Sequence, residues 1–232
     1  FAKSIGLYAK KTCIPVDHVV GHIASNYITH KDLEPPFVCL TVSGGHTQLV
    51  QVKNFHDFQV IGCTRDDAAG EVFDKVGRFL GLGYPAGPQI DRVARHGDKE
   101  RYKLPQPRVK GAELDFSFSG LKTATINLIR DIKQSGQEVN LPDLAASFQN
   151  SVVSVLLNRL LEAARVTKCG KLCISGGVSA NSELRERAAT ACESLGCELF
   201  FPEIEFCSDN AAMIASQGYY EFTSGSKASA ST

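Results

Sequence analysis

The chain of 232 residues has no excess of charge of either sign, because 25 lysines and arginines balance 25 aspartates and glutamates. It therefore lacks the global basic field by which an autonomous nucleic-acid binder attracts a polyanion, and any such contact has to come from a local patch or a partner. Long apolar runs are missing too. No stretch approaches the roughly 20 residues of a membrane span, and none reads as a signal peptide, so no membrane association and a cytoplasmic location are expected. The eight cysteines show no Cys-x-x-Cys spacing, and several sit in apolar runs, as in Phe37-Val38-Cys39-Leu40 and Leu172-Cys173-Ile174. Buried free thiols fit a reducing compartment better than a disulfide framework. No solenoid-type repeat is present.

What is there suffices for one large or two small domains. An amphipathic helix pattern opens the chain without a cap and runs to about Thr12, and a Ser/Ala/Gly tail, Ser224 to Thr232, closes it, so both ends read as cut. Ile14-Pro15-Val16 predicts a short strand, and Glu34-Pro35-Pro36 a domain boundary. Strands follow at Phe37–Val42, Gln48–Val52 and Phe58–Cys63, and later at Lys171–Ser175 and Glu198–Phe201. Helices are predicted at Gly70–Leu80, Pro88–Ala94, Leu121–Ile132, Leu144–Thr167, Ala180–Leu195 and Asn210–Phe222, the long one with Val152, Val155, Leu156 and Leu160 on one stripe. The alternation predicts an α/β fold, a mixed sheet covered by helices.

His18-Val19-Val20-Gly21-His22 places two imidazoles at i and i+4, about 6 Å apart on one helix face, where they can be offered to one divalent metal or simply be packed. Val19 stands where a zinc protease of the His-Glu-x-x-His type needs its general base, so any metal here needs a third ligand from elsewhere. Asp209 can supply it, giving two histidines, one carboxylate and open positions, or can instead cap the last helix. Ser43-Gly44-Gly45 and Ser175-Gly176-Gly177 each follow a strand, where glycine lets backbone N–H groups approach an anion. In Asp66-Asp67-Ala68-Ala69-Gly70-Glu71-Val72-Phe73-Asp74, helix capping accounts for Asp66 and Asp67 but not for Asp74, which is free to reach a ribose hydroxyl or an amide. Gly87, in Tyr84-Pro85-Ala86-Gly87-Pro88, opens a helix and can lie under a ligand. Arg101 to Lys110 is a basic loop with one aromatic, a solvated surface or the best local polyanion contact.

Six ordered stretches carry a family resemblance: Leu40 to Leu49, Asp66 to Lys75, Tyr84 to Pro88, Asp115 to Thr123, Ser175 to Asn181 and Cys207 to Asn210. Together they resemble the bacterial tRNA N6-adenosine threonylcarbamoyltransferases, the TsaD family, whose older name is glycoprotease or O-sialoglycoprotein endopeptidase. The resemblance implies the two-lobed fold of the actin, Hsp70 and sugar-kinase ATPases with an incomplete first lobe: residues 1–35 as a remnant of lobe one, 36–208 as lobe two, and 209–232 as a helix returning to lobe one plus a tail. It implies one divalent metal, iron ahead of zinc, on His18, His22 and Asp209, and substrate contacts at Thr41, Val42, Ser43, Gly44, Gly45, Asp74, Gly87 and Asn181. Val20 departs from the Glu that bacterial members often carry there. The implied reaction moves the threonylcarbamoyl group from threonylcarbamoyl-AMP to N6 of adenosine 37 in tRNAs reading codons that begin with A, in company with TsaB and TsaE. No general base is readable; Glu71 is the nearest candidate. The rival readings are a metal-dependent glycoprotein endopeptidase and a non-catalytic ATP-binding scaffold, and a chain with an incomplete first lobe is expected to be inactive alone.

Overall fold

A computed structural model describes residues 1–225, so most of the expected tail lies outside the described residues. Its centre is a mixed five-stranded sheet in the order β3-β2-β1-β4-β5, formed by β1 (Phe37–Val42), β2 (Thr47–Asn54), β3 (Asp57–Cys63), β4 (Lys171–Ser175) and β5 (Glu198–Phe200). The first three strands form an antiparallel meander, whereas β4 pairs parallel to both β1 and β5. Every residue of β1 is buried. This is the signature of a strand covered on both faces, and it explains why Phe37–Val42 is continuously apolar rather than alternating.

The two faces carry different helices. Val38, Leu40 and Val42 of β1, with Leu172 and Ile174 of β4, face α3 (Ala69–Phe79), α6 (Leu141–Thr167) and α7 (Ser182–Leu195). Phe37 and Cys39, with Cys173, face Ile23, Ala24 and Tyr27 of α2 (His18–Thr29), against which α8 (Ala211–Thr223) is laid. Ring contacts join the two sides of that second layer: Phe55 stacks on Tyr220 at 4.2 Å, and Tyr27 meets both edge-on. The remaining helices are α1 (Ala2–Tyr8), α4 (Gly87–Ala94) and α5 (Ser119–Gln134). None of the described helices is long and apolar enough to cross a membrane. All eight cysteines are free, and burial pushes the Cys39 thiol up to about 11, so it is no nucleophile.

Several expectations are corrected. The opening helix stops at Tyr8 rather than near Thr12, with Lys10 in the left-handed region at φ 52°. Ile14-Pro15-Val16 has no regular structure and joins no strand. Helix α6 shows no single stripe, because Val153, Ser154 and Leu157 are buried as well as the predicted set; the helix is enclosed by the sheet, α4 and α7. Asp66 and Asp67 do not cap α3, whose N-cap is Ala68 without a side-chain bond. Asp66 instead accepts from the backbone N–H groups of Phe118 (2.7 Å) and Ser119 (3.2 Å) at the start of α5. Asp67 pairs with Lys75 at 2.8 Å and with Lys122. Partial burial would raise the Asp67 carboxyl, but bonds from Lys122, Lys75 and Ser119 outweigh it and hold it at about 2.

Where β4 ends, Gly176 adopts φ +87°, and a Cβ there would fall 2.4 Å from the Val42 carbonyl oxygen, whereas a Cβ on Gly177 would meet nothing within 4 Å. Gly176→Ala is therefore expected to cost about 1–2 kcal/mol from the backbone conformation alone, with the clash adding to it. Gly177→Ala should stay within about 0.5 kcal/mol of the parent. Urea midpoints check the contrast, and equal midpoints would contradict this reading of the turn.

Candidate functional site

Asp17 starts α2 by accepting hydrogen bonds from the N–H groups of Val19 (2.9 Å) and Val20 (3.1 Å). This places His18 in the first turn and His22 one turn on, their rings edge to face at 4.7 Å. Gly21, between them, is where α8 crosses: a Cβ there would come within 2.7 Å of Ile214 Cδ1. Ser216 fastens the same crossing by donating to the Ala24 carbonyl at 3.1 Å. The crossing brings the segment just before α8 over the two histidines. Asp209 Oδ1 lies 3.5 Å from His18 Nε2 and 3.2 Å from His22 Nε2, and one ligand atom from each residue falls within 4.8 Å of the others. Asp209 is not the cap of α8; that role belongs to Asn210, which accepts from Met213 N–H at 2.8 Å.

His22 supplies a test of whether this cluster suits a metal. Its side chain is fully buried, and neither ring nitrogen has a hydrogen bond of acceptable geometry. An imidazole left so is costly unless something else takes its lone pair. Burial, then the neighbouring His18, moves its pKa below the usual imidazole value, outweighing the pull of Asp209. The neutral imidazole is the form that ligates. Two imidazole nitrogens and a carboxylate fit a divalent transition metal, with positions left open.

Beside this cluster two central strands of the sheet end. Thr41 of β1 stands opposite Ser175 of β4, their hydroxyls 3.1 Å apart, so the two parallel strands end together and their loops lie side by side. Ser43 closes the first loop, its N–H bonding the His46 carbonyl at 2.8 Å and its hydroxyl accepting from His46 N–H at 3.1 Å. That leaves Gly44 and Gly45 exposed, with open space where side chains would be. Thr41 and Val42 are fully buried, so of these five residues only Ser43, Gly44 and Gly45 line the open loop. The His46 ring lies 6.0 Å from that of His18, which puts the glycine loop next to the His/Asp cluster.

Asp74 and Gly87 are also neighbours. Asp74 accepts from Ala86 N–H at 2.8 Å, and Gly87 begins α4 above Phe73. Asn181 is 8% exposed, and its amide is already engaged: the oxygen caps α7 through Leu184 N–H (2.9 Å) and the nitrogen donates to Gln149 (2.7 Å). Glu71, the nearest candidate for a base, is held by Lys75 at 2.7 Å. Sequence reasoning assigns nothing to His46, Asp91 or Gln149. His46 directly follows the Ser43-Gly44-Gly45 loop, which is a signal that could have found it, but the other two show only as ordinary polar residues in helices.

This sheet order, with glycine loops where its central parallel strands end, defines an α/β protein of the actin, Hsp70 and sugar-kinase class, in which ligands are received beyond the carboxyl ends of strands. Two solved structures share the fold at 15% identity: HypF of T. kodakarensis, with a TM-score of 0.71 over 95% of this chain and 39% of that one, and full-length HypF in a phosphate- and nucleotide-bound form, with 0.69 over 94% and 37%. The family model for TsaD, tRNA N6-adenosine threonylcarbamoyltransferase, matches residues 1–216. Enzymes of that name from Clostridium botulinum (strain 657 / Type Ba4) and Caldicellulosiruptor saccharolyticus are each 47% identical, over 99% and 100% of this chain and 67% and 68% of their own lengths. The chain belongs to the TsaD family. The activity that defines the family is tRNA N6-adenosine threonylcarbamoyl transfer.

Proposed function

We propose that the family's transfer takes threonylcarbamoyl-AMP as its donor, with the two ends of that donor divided between two subsites on this chain. His18, His22 and Asp209 would hold one divalent ion, iron ahead of zinc, at the threonylcarbamoyl end. Ser43-Gly44-Gly45, Gly176-Gly177, Asp74 and Gly87 would receive the AMP end, Thr41 and Val42 contributing backbone only. The observation that supports this division is the buried, unpartnered His22 imidazole in reach of Asp209, adjoining an open glycine loop. A divalent ion in such a site supplies Lewis acidity towards a bound carbonyl or phosphoryl oxygen.

The attacking atom sets the remaining demands. The lone pair on adenine N6 is delocalised into the ring, so holding it against the carbamoyl carbon is much of the task, and such positioning is worth up to roughly 7–11 kcal/mol. The glycine loops do this by fixing the AMP leaving group through backbone contacts. With Glu71 tied to Lys75, a phosphate oxygen of the substrate is the better acceptor for the N6 proton. An endopeptidase would need a carboxylate base beside the metal, and Val19 and Val20 occupy the positions on that helix turn. We take residues 36–208 as the second lobe of the family fold. Residues 1–35 and the helix that follows Asp209 would belong to lobe one and bring the metal ligands to its border. TsaB- and TsaE-type proteins in the cytoplasm would be the partners.

Cobalt(II) and AMP titrations separate the subsites. Asp209→Ala should weaken cobalt binding by more than about tenfold, since even outer-sphere changes at metal sites cost that much, and should leave AMP affinity alone. Gly44→Val should do the reverse, with AMP affinity falling about tenfold or more as the charge-assisted bonds from backbone N–H groups are blocked. Cobalt and AMP affinities indifferent to both changes would overturn the assignment.

For tRNA, the exposed Lys103, Arg108 and Lys110 lie on a loop anchored where Tyr102 N–H donates to the Ser147 hydroxyl at 3.1 Å. Neutralising them should flatten the salt dependence of tRNA binding by roughly one unit of slope for every phosphate no longer neutralised. An unaltered slope would make the loop a solvated surface.

A further inference from the structure

Three polar side chains on three different elements meet in the interior. Gln149 of α6 is 2% exposed, Asp91 of α4 is 7% exposed and Asn181, before α7, is 8% exposed. Gln149 sits at the centre. Its amide oxygen accepts from Asn181 Nδ2 at 2.7 Å, and its amide nitrogen donates to Asp91 Oδ1 at 3.3 Å and to Glu183 Oε2 at 3.1 Å. Asp91 Oδ1 also accepts from the Ser182 N–H (3.2 Å) and hydroxyl (2.7 Å), and its other oxygen from Arg95 at 3.3 Å. Arg187 balances Glu183 at 2.9 Å.

Cohesion alone does not require these groups. Apolar residues of the same volume would hold α4, α6 and α7 together as well or better, because a buried carboxylate carries a desolvation cost. A fully satisfied polar network does what an apolar contact cannot: it fixes one register. Here that register runs between α4, which begins at Gly87, and the Gly176–Asn181 loop. Asn181 has its amide turned inward, where it holds this loop.

We propose that Gln149, with Asp91 and Asn181, positions the Gly176–Asn181 loop against α4 and so sets the fit of the nucleoside end of the donor. The inference rests on the division into subsites given above. The network reaches neither His18, His22 nor Asp209, so its loss should act on one end only. Gln149→Met keeps the volume and removes the hydrogen bonds. Gln149→Glu keeps the acceptor for Asn181 but sets a third carboxylate beside Asp91 and Glu183. Asp91→Asn preserves the Oδ1 acceptor for Ser182.

The test is AMP calorimetry on the full chain, with the cobalt(II) absorption spectrum read alongside. Both Gln149 variants should weaken AMP binding about tenfold, in line with buried partners left unpaired. Asp91→Asn should stay within about threefold, and the cobalt spectrum and stoichiometry should not change in any of them. A merely structural role would lower the urea midpoint and the competent fraction while leaving the AMP dissociation constant of the folded protein intact. The proposal is overturned if either folded Gln149 variant binds AMP as the parent does while Gly44→Val does not. If Gly44→Val also binds normally, the subsite assignment fails with it. Loss of cobalt binding in a folded Gln149 variant would equally contradict an effect confined to the nucleoside end.

Discussion

Parallel pairing of β1 with β4 is the contact on which the rest of the molecule depends. It joins segments separated by more than a hundred residues and ends both strands at one level, with the Thr41 and Ser175 hydroxyls bonded across the pair at 3.1 Å. From that level the two glycine loops start side by side. The same pairing sets Cys39 against Cys173 on the opposite face and so makes the apolar floor on which α2 lies. One pairing thus places both the loops that would hold a phosphorylated ligand and the helix that carries the histidines.

The His/Asp cluster depends on a second contact of different character. Asp209 is exposed and His22 wholly buried, and they meet only because α8 crosses α2 tightly at Gly21. A carboxylate held over two imidazoles at the rim of a buried helix layer would meet the opposed demands of a metal site, whose ligands must be desolvated enough to be neutral or paired, yet leave room for a further group. His22, with no hydrogen bond at Nδ1 and only the Asp209 carboxylate 3.2 Å from Nε2, is where a bound ion would relieve the arrangement most. Catalysis of transfer to a poorly nucleophilic amine needs such positioning more than it needs a strong base.

Much of the sheet is legible in the sequence because its signals are local. Phe37–Val42 follows two prolines and stops at Ser-Gly-Gly, and Lys171–Ser175 stops at Gly-Gly; both strands are as the apolar runs indicate. The His18/His22 spacing is legible for the same reason, since Asp17 and the helix period are sequence-local. What is hidden depends on distant partners. Asp66 and Asp67 look like caps for the helix that follows, but Asp66 bonds the start of α5, some fifty residues on, and Asp67 is shared between Lys75 of α3 and the first turn of α5. Of the two adjacent residues able to cap α8, Asn210 does so and Asp209 is released; composition does not separate them. Thr41, Val42 and Asn181 lie in the motifs that carry the family resemblance, yet their side chains turn inward because the sheet and Gln149 claim them. The enclosed state of α6 follows from α4 and α7 packing around it, which a single-helix pattern does not reveal.

The central claim is that two subsites, a metal centre on α2 and α8 and a phosphate-receiving pair of glycine loops, adjoin in one cleft. The most direct measurement is a crystal structure of the protein with a divalent transition metal and AMP, using anomalous scattering to locate the ion. One ion is expected, with His18, His22 and Asp209 as ligands at about 2.0–2.2 Å, and the AMP phosphate against the backbone of Gly44-Gly45 and Gly176-Gly177. An ion bound elsewhere, or AMP seated away from both loops, would contradict the two-subsite arrangement.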